Sequence, residues 1–302
     1  LMASIRRPAK VAGKKAAIIG GGPTGIAAAY FLGRAGVETT IFEREQCLGG
    51  VPRHVIPAFR ISDGAIDKDE ALMRKMGVEV KLSTPAPSAA ELKAMGYTHI
   101  FYAVGAGKAG QLGIPGDVAG AIQWMKGVKA GNISVGGNVA VVGAGNTAMD
   151  AARLAKRSGA QHVTIVYRRT RKYMPADEHE LALALADGVT FAELCAPVEQ
   201  KDGVLRCEKM KLGEADASGR RSPVATGEYV DIPCDLVISA VGEQVDSALL
   251  TSNGVEVDGK GRPAFRTNVE GVYAAGDARR GPATVVEGIA DAAQFAEAVI
   301  GA

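Results

Sequence analysis

Three short stretches of this chain carry residue types whose spacing suits phosphate and sugar binding. The first is Gly20-Gly21-Gly22-Pro23-Thr24-Gly25, a G-x-G-x-x-G. In such a stretch Gly20 permits a tight turn and Gly22 lets the backbone approach a pyrophosphate. Gly25 lets the following helix pack close on the strand before it. The helix N-terminus then offers N–H groups and the positive end of its dipole to the phosphates. Glu43 follows at the end of the next strand, where a carboxylate accepts hydrogen bonds from ribose hydroxyls. A lone glycine turn can be purely structural. The strand before it, the helix after it and the acid at this distance select dinucleotide binding.

The second stretch is Gly143-Ala144-Gly145-Asn146-Thr147-Ala148, with Ala148 in place of the third glycine. The strand that follows ends in Tyr167-Arg168-Arg169 rather than in an acid. Guanidinium groups match a phosphate through paired hydrogen bonds, and an acid there would repel it. Arg168 and Arg169 therefore predict a 2′-phosphate partner, hence NADP rather than NAD. The alternative is a solvated charge run at a strand end. The third stretch is Thr267 to Asp277, ending Gly276-Asp277, with Thr284-Val285-Val286 opening a last helix. Its acid suits a ribityl hydroxyl, and the helix N-terminus suits an electron-rich flavin oxygen. Alone, it is equally a plain strand, turn and helix.

Strands and helices must hold these residues in place. Ala16 to Ile19 reads as a buried strand, Ile26 to Ala35 as a helix and Glu38 to Phe42 as the next strand. The same order returns with Asn138 to Val142, a helix over Thr147 to Arg157, and Val163 to Tyr167. Two βαβ openings are the internal repeat that organises the chain. Between them lie a Pro/Gly-interrupted stretch, Gly49 to Arg60, a helix near Asp63 to Met76, and a strand over His99 to Val104. Leu112 to Gly116 is a turn cluster suited to a crossing between domains. Gly203 to Ile232 reads as hairpins with a polar loop at Glu214 to Ser222. The strand Asp235 to Ala240, the strand Gly271 to Ala275 and a helix over Thr284 to Ile300 complete the chain. Two strands end alike, in Ala103-Val104-Gly105 and Ala240-Val241-Gly242.

Composition excludes several other classes. The 302 residues suit two domains, and 47% are apolar and 23% charged, as in ordinary globular proteins. Thirty-five basic residues against 33 acidic ones give a net charge of +2, no basis for nucleic-acid or membrane-surface binding. No apolar run is long enough for a membrane span. The basic segment Leu1 to Lys15 has no apolar core and is no secretory signal. Cys47, Cys195, Cys207 and Cys234 form no Cys-x-x-Cys pair, which argues against a disulfide framework, a zinc ribbon and a redox pair. Lone reduced thiols suit the cytoplasm. His54, His99, His162 and His179 share no metal-ligand spacing, so no metal site is expected. Trp124 reads as packing, and the acids of Met174 to Glu178 as a first helical turn.

Taken in order, the motifs resemble the two-dinucleotide-binding flavoprotein family, with its glutathione-reductase-like arrangement. Within it the chain resembles the glutamate synthase small-subunit branch. The residues are Gly49-Gly50-Val51 with Ile56-Pro57-Ala58-Phe59-Arg60, Val141 to Asp150, Tyr167 to Ala176, and Gly276-Asp277 followed by Thr284 to Glu287. Gly136 to Asp150 and Gly213 to Pro223 are most similar to the C-terminal part of selenate reductase-type subunits.

The resemblance implies an α/β fold of two Rossmann-like dinucleotide-binding domains. Residues 1–118 and 234–302 would form an FAD domain, with an NADPH domain, 119–233, inserted in it. By position, FAD would be held by Gly20, Gly22, Pro23, Thr24, Gly25, Glu43, Gly50, Val51, Arg60, Gly276, Asp277, Thr284 and Val285. NADPH would be held by Gly143, Gly145, Asn146, Thr147, Ala148, Arg168, Arg169 and Lys172. The implied reaction passes hydride from NADPH to FAD and electrons onward, with no catalytic side chain. Use of NADH and a scaffold without turnover are the rival readings. The family carries a cysteine-rich domain for two iron–sulfur clusters, and Leu1 to Lys15 holds no residues for it. The chain is then expected to be part of a longer polypeptide, or to serve an iron–sulfur partner subunit.

Overall fold

The apolar run Ala16-Ala17-Ile18-Ile19 is buried throughout, as a strand covered on both faces must be. The computed structural model describes residues 9–217, 219 and 221–301. The first eight residues of the basic segment, and Ser218 and Arg220 of the polar loop, lie outside the described residues. The chain forms two units. One takes residues up to Lys108 and from Gln244 onward, and the other is Ala109–Glu243.

In the first segment, β1 (Lys15–Ile19), α1 (Pro23–Arg34) and β2 (Glu38–Phe42) make the expected βαβ unit. Helix α1 starts at Pro23 rather than Ile26, because a proline at the first position lacks only an N–H that the first turn leaves unused. The Pro/Gly-interrupted stretch holds a single turn, α2 (Gly50–His54). Then come α3 (Asp63–Lys75), β3 (Glu79–Lys81), α4 (Ala89–Ala94) and β4 (His99–Tyr102), and a two-residue strand, β5 (Lys108–Ala109), at the crossing.

The second unit opens with β6 (Val118–Gly120) and α5 (Ala121–Lys129), whose Trp124 is buried as packing. It continues through β7 (Asn138–Val142), α6 (Asn146–Arg157), β8 (His162–Tyr167), α7 (Glu178–Ala186) and β9 (Thr190–Glu193). An antiparallel meander follows: β10 (Cys195–Lys201), β11 (Val204–Ala215) and β12 (Arg221–Pro233). Strand β13 (Leu236–Ser239) then returns to the parallel sheet, whose order is β6-β13-β7-β8-β9. After β14 (Glu243–Gln244), the first unit resumes with α8 (Ala248–Ser252), β15 (Val272–Ala274), α9 (Asp277–Arg280) and α10 (Val285–Ile300). Its sheet order is β15-β4-β1-β2-β3, again parallel.

The units divide after Lys108 and after Glu243, not at residues 119 and 233 as expected from the sequence. Strand β13 pairs with Val118–Gly120 on one side and with β7 on the other, so both belong to the second sheet. The turn cluster Leu112 to Gly116 is inside the second unit, where Leu112 and Ile114 pack on its core. In the first unit, Phe101 stacks on Phe295 with ring centroids 4.1 Å apart, joining β4 to α10 beside the buried face of α1. The other face of that sheet packs Leu92, Tyr97, Leu250 and Val255. Among the described residues no helix is long and apolar enough to cross a membrane.

Candidate functional site

Each of the two parallel sheets has its own switch point. In each, the chain runs from the glycine strand outward to one side, then crosses to the other side. Ligands of such sheets bind beyond the strand C-termini at that crossing. In the first unit the crossing lies between β1 and β4, in the second between β7 and β13. The two loops are built alike. Gly20 N donates to Phe42 O at 2.9 Å, and Gly143 N to Val166 O at 3.0 Å. Both glycines have positive φ, +103° and +132°. A methyl on Gly20 would lie 2.5 Å from the carbonyl oxygen of Ala103, and one on Gly143 would press on that of Ala240. This explains the repeated Ala-Val-Gly endings: each supplies the backbone on which a glycine loop closes.

The remaining loop positions divide as the chemistry requires. A methyl on Gly25 would strike Gly20 O, so the third position serves helix packing. Ala148, in the matching position, is buried and fits. The middle position is open in both loops. A methyl on Gly145 would meet nothing within 4 Å, and one on Gly22 only Gly50 Cα at 3.9 Å. Pro23 and Thr24 open α1, and the exposed Asn146 and half-buried Thr147 open α6.

Glu43 is buried and binds its own glycine loop. Its Oε2 accepts from Gly21 N at 2.6 Å and its Oε1 from Glu45 N at 2.8 Å. A carboxylate oxygen has room for a second donor, so this grip and a ribose contact are compatible. Gly49 N donates to Gly21 O at 2.7 Å, which brings Gly50 beside the loop. A methyl on Gly50 would lie 2.9 Å from Gly22 Cα. Val51 is exposed in the same turn, and Arg60 is exposed farther along, its N–H bonded to Pro57 O.

The structure separates the two arginines that follow β8. Arg168 is exposed. Arg169 is 9% exposed, and its Nε donates to Arg221 O of β12 at 3.3 Å. Both residues lie in the bend just beyond β8, and only Arg168 is open to solvent there. Lys172 is exposed in the turn beyond. That turn is tied down by Tyr167 Oη, which donates to Tyr173 O at 2.7 Å, and by Ala176 N, which donates to Ala144 O of the second glycine loop at 3.0 Å. Asp177 caps α7 by accepting from His179 N, so the acids of Met174 to Glu178 do open a helix.

At the third stretch, Gly276 adopts φ +63° and Asp277 Oδ1 accepts from Ala283 N at 3.2 Å. Thr284 caps α10 in a reciprocal box with Glu287, and Val285 is exposed in its first turn. Thr24 joins this turn to the first loop: methyls on Gly276 or Gly288 would both collide with its hydroxyl. Thus α1, the Gly276 turn and α10 meet without room for one more carbon.

Two residues that the sequence reading misses complete the turn, Asp291 and Arg280. Asp291 is 1% exposed and accepts from Gly276 N at 3.0 Å and Arg280 Nε at 2.8 Å. The available signal is an acid amid the buried face Gly288, Ala292, Phe295, Ala296 and Val299 of α10. Thiol chemistry finds no support. All four cysteines are free, and burial pushes Cys47 and Cys195 up, Cys207 up to about 12 and Cys234 up to about 11. Among the described residues no cluster of His, Cys, Asp or Glu could hold a metal ion.

Comparison with known proteins agrees with this geometry. The family model of pyridine nucleotide-disulphide oxidoreductases matches residues 14–292. "Putative oxidoreductase YgfK" of Escherichia coli K12 is 39% identical over 295 residues, covering 94% of this chain and 29% of its own length. The glutamate synthase [NADPH] small chain of the same organism is 32% identical over 326 residues, covering 96% of this chain and 69% of its own length. The chain thus spans less than a third of YgfK and about two thirds of the small chain. Mycobacterium tuberculosis FprA in complex with NADPH shares the fold, with TM-score 0.77, 21% identity, and coverage of 95% of this chain and 84% of that one. The chain belongs to the pyridine nucleotide-disulphide oxidoreductase family and is a two-dinucleotide-binding flavoprotein, an FAD-dependent oxidoreductase.

Proposed function

We propose that this family member binds FAD in its first unit and NADPH in its second, and relays electrons from NADPH through FAD to an iron–sulfur domain or partner subunit. The difference between the two strand ends carries the reading: the buried Glu43 carboxylate at one loop, the exposed Arg168 guanidinium at the other. The residues present fit both groups. Gly22 and Gly145 leave their backbone open to a pyrophosphate, while the glycines on either side of Gly22 are filled by packing.

Each residue's task follows from its place. The first turns of α1 and α6 direct unpaired N–H groups and a positive dipole end at the open glycine. Glu43 holds the first loop in shape and accepts from the adenosine ribose. Gly50 lies against the same loop with Val51 in its turn; with Arg60 farther along they would help hold FAD, and Asp277 would face the ribityl chain. Thr284 and Val285 present the α10 N-terminus to the flavin's pyrimidine edge, where negative charge favours a helix N-terminus. Asn146 and Thr147 serve the second pyrophosphate. Arg168, with Lys172, takes the 2′-phosphate, and Arg169 braces the strand end from within. Bound FAD supplies the redox chemistry, accepting a hydride and releasing electrons singly. The protein's part is alignment, and no side chain need move a proton for hydride transfer.

The onward partner is supported by the small-chain relative, itself a subunit by name. A reducing cytoplasmic setting fits four free cysteines. The purified protein should be yellow and bleach under anaerobic NADPH faster than under NADH. Faster bleaching with NADH would overturn the coenzyme choice. Yellow protein that stays oxidised would favour a scaffold, and colourless protein without bound adenine nucleotide would end the flavin reading.

A further inference from the structure

We infer that Asp291 and Arg280 form a positioning pair that locks the Gly276-Asp277 turn onto α10 and keeps the flavin end of the first unit electrically balanced. The inference rests on the FAD reading above for what the turn holds.

Asp291 lies on the buried face of α10, two turns beyond its N-terminus, with 1% exposure. A carboxylate in that position is costly unless paired and hydrogen-bonded. Asp291 is supplied on every side. Its Oδ2 accepts from Gly276 N at 3.0 Å and from Arg280 Nε at 2.8 Å, its Oδ1 accepts from Arg280 Nη2, and Arg279 Nη1 stands 3.8 Å from Oδ1. Arg280 thus grips the carboxylate with two prongs of its fork, the geometry a lysine cannot copy. Burial works to raise the Asp291 carboxyl, but Arg280, the Gly276 amide and Arg279 together hold it below the usual carboxylate range.

The contacts run along the backbone to the proposed flavin residues. Gly276 is the residue before Asp277 and takes a positive φ, +63°. Its N–H, which a helix or sheet would otherwise satisfy, goes to Asp291. Gly288 and Gly276 both abut the Thr24 hydroxyl, so the turn cannot slide along α10 without striking α1. Arg280 ends α9 and Asp291 lies within α10; their bond closes the loop that carries Ala283, Thr284 and Val285. A lone buried carboxylate here would oppose the extra charge on a reduced flavin. A lone guanidinium would favour it. The pair cancels both.

The test uses Asp291→Asn, Arg280→Gln and the double variant, with Asp187→Asn in the second unit as a control for loss of an equally well-paired carboxylate. FAD affinity is read by flavin fluorescence, and the midpoint potential of bound flavin by anaerobic titration. Each single variant is expected to weaken FAD by about tenfold or more, as loss of a charge-assisted bond does. The potential is expected to fall in Arg280→Gln and rise in Asp291→Asn, and the double variant to return toward the parent. Asp187→Asn should lower the melting temperature and move neither quantity. Affinity within about twofold of the parent, or shifts of one sign in both single variants, would overturn the pair. Arg280 is 39% exposed, so its variant keeps the test decisive if Asp291→Asn fails to fold. A parent protein that takes up no FAD would instead overturn the reading of the site, and the inference with it.

Discussion

Glu43 turns back on its own glycine loop, its Oε2 accepting the Gly21 amide at 2.6 Å. The other oxygen accepts from Glu45 N, so two backbone donors share one carboxylate. Glu43→Gln can offer an oxygen to one donor only and sets an amide N–H₂ against the other. Loss of one charge-assisted bond costs about 1.5–3 kcal/mol. FAD affinity should fall by about 10–100-fold, measured by fluorescence on reconstituted protein. Parent-like affinity would show that the carboxylate shapes nothing in the site.

The arginines at the end of β8 should part company on mutation. Arg168→Ala removes an exposed cation and should raise the KM for NADPH by about 10–100-fold with little change for NADH. Arg169→Ala removes a buried guanidinium bonded to Arg221 O. It should lower stability by about 1–3 kcal/mol and weaken both coenzymes alike. Steady-state kinetics with both coenzymes, beside a denaturant melt, separates them; equal selectivity loss in the two variants would refute the division.

Acid should reach Asp187 late. Hydrogen bonds from Arg157 hold its carboxyl at about 2 against burial, with Arg153 assisting. A carboxyl lowered in the folded state contributes stability above its unfolded value and loses it as pH falls through the folded one. The parent should therefore be more stable than Asp187→Asn at neutral pH, and the gap should close between about pH 4 and pH 2. Denaturation midpoints across that window read the effect; a gap independent of pH would contradict it.

Tyr102 is fully buried, and its hydroxyl has no hydrogen-bond partner among the described residues. Burial pushes the phenol up to about 12. An unsatisfied buried hydroxyl costs about 1–3 kcal/mol. Tyr102→Phe should therefore leave the fold unchanged and stabilise the first unit by about 1–2 kcal/mol, seen as a higher denaturant midpoint. Destabilisation would mean that the hydroxyl has a partner.

Gly288→Ala should clash with Thr24, and Thr24→Ala should relieve it. The double variant should recover most of the stability lost in Gly288→Ala. Additive losses would show that the glycine serves the helix rather than the junction.

Much of this was legible before folding. A glycine loop leaves its mark because no other side chain tolerates the backbone at Gly20 and Gly143, and the acid or arginine after it sits at a fixed strand end. The unit boundary was not. Strand β6 is three residues, Val-Ala-Gly, and exists only because β13, remote in sequence, pairs with it. Leu112 to Gly116 has the composition of a linker, and only its packing shows that it is not one. Arg168 and Arg169 read alike as letters; only the contact with β12, remote in sequence, shows which one is buried. Asp291 was missed although it is an acid on an apolar helix face, and its partner Arg280 comes from a different element, which local pattern cannot join to it.

The insertion of one unit into the other sets an order of maturation during synthesis. The ribosome makes β1, α1 and the first glycine loop early, then the whole of Ala109–Glu243, and only then β15 and α10. The inserted unit is continuous and has all its strands in hand once Ser239 has emerged. The outer unit must wait for its last helix, with the face of Ile18 and Phe101 that Phe295 will cover still bare. Domains fold as units as they emerge, so the inserted unit should be protected from proteolysis on the nascent chain before the outer unit is.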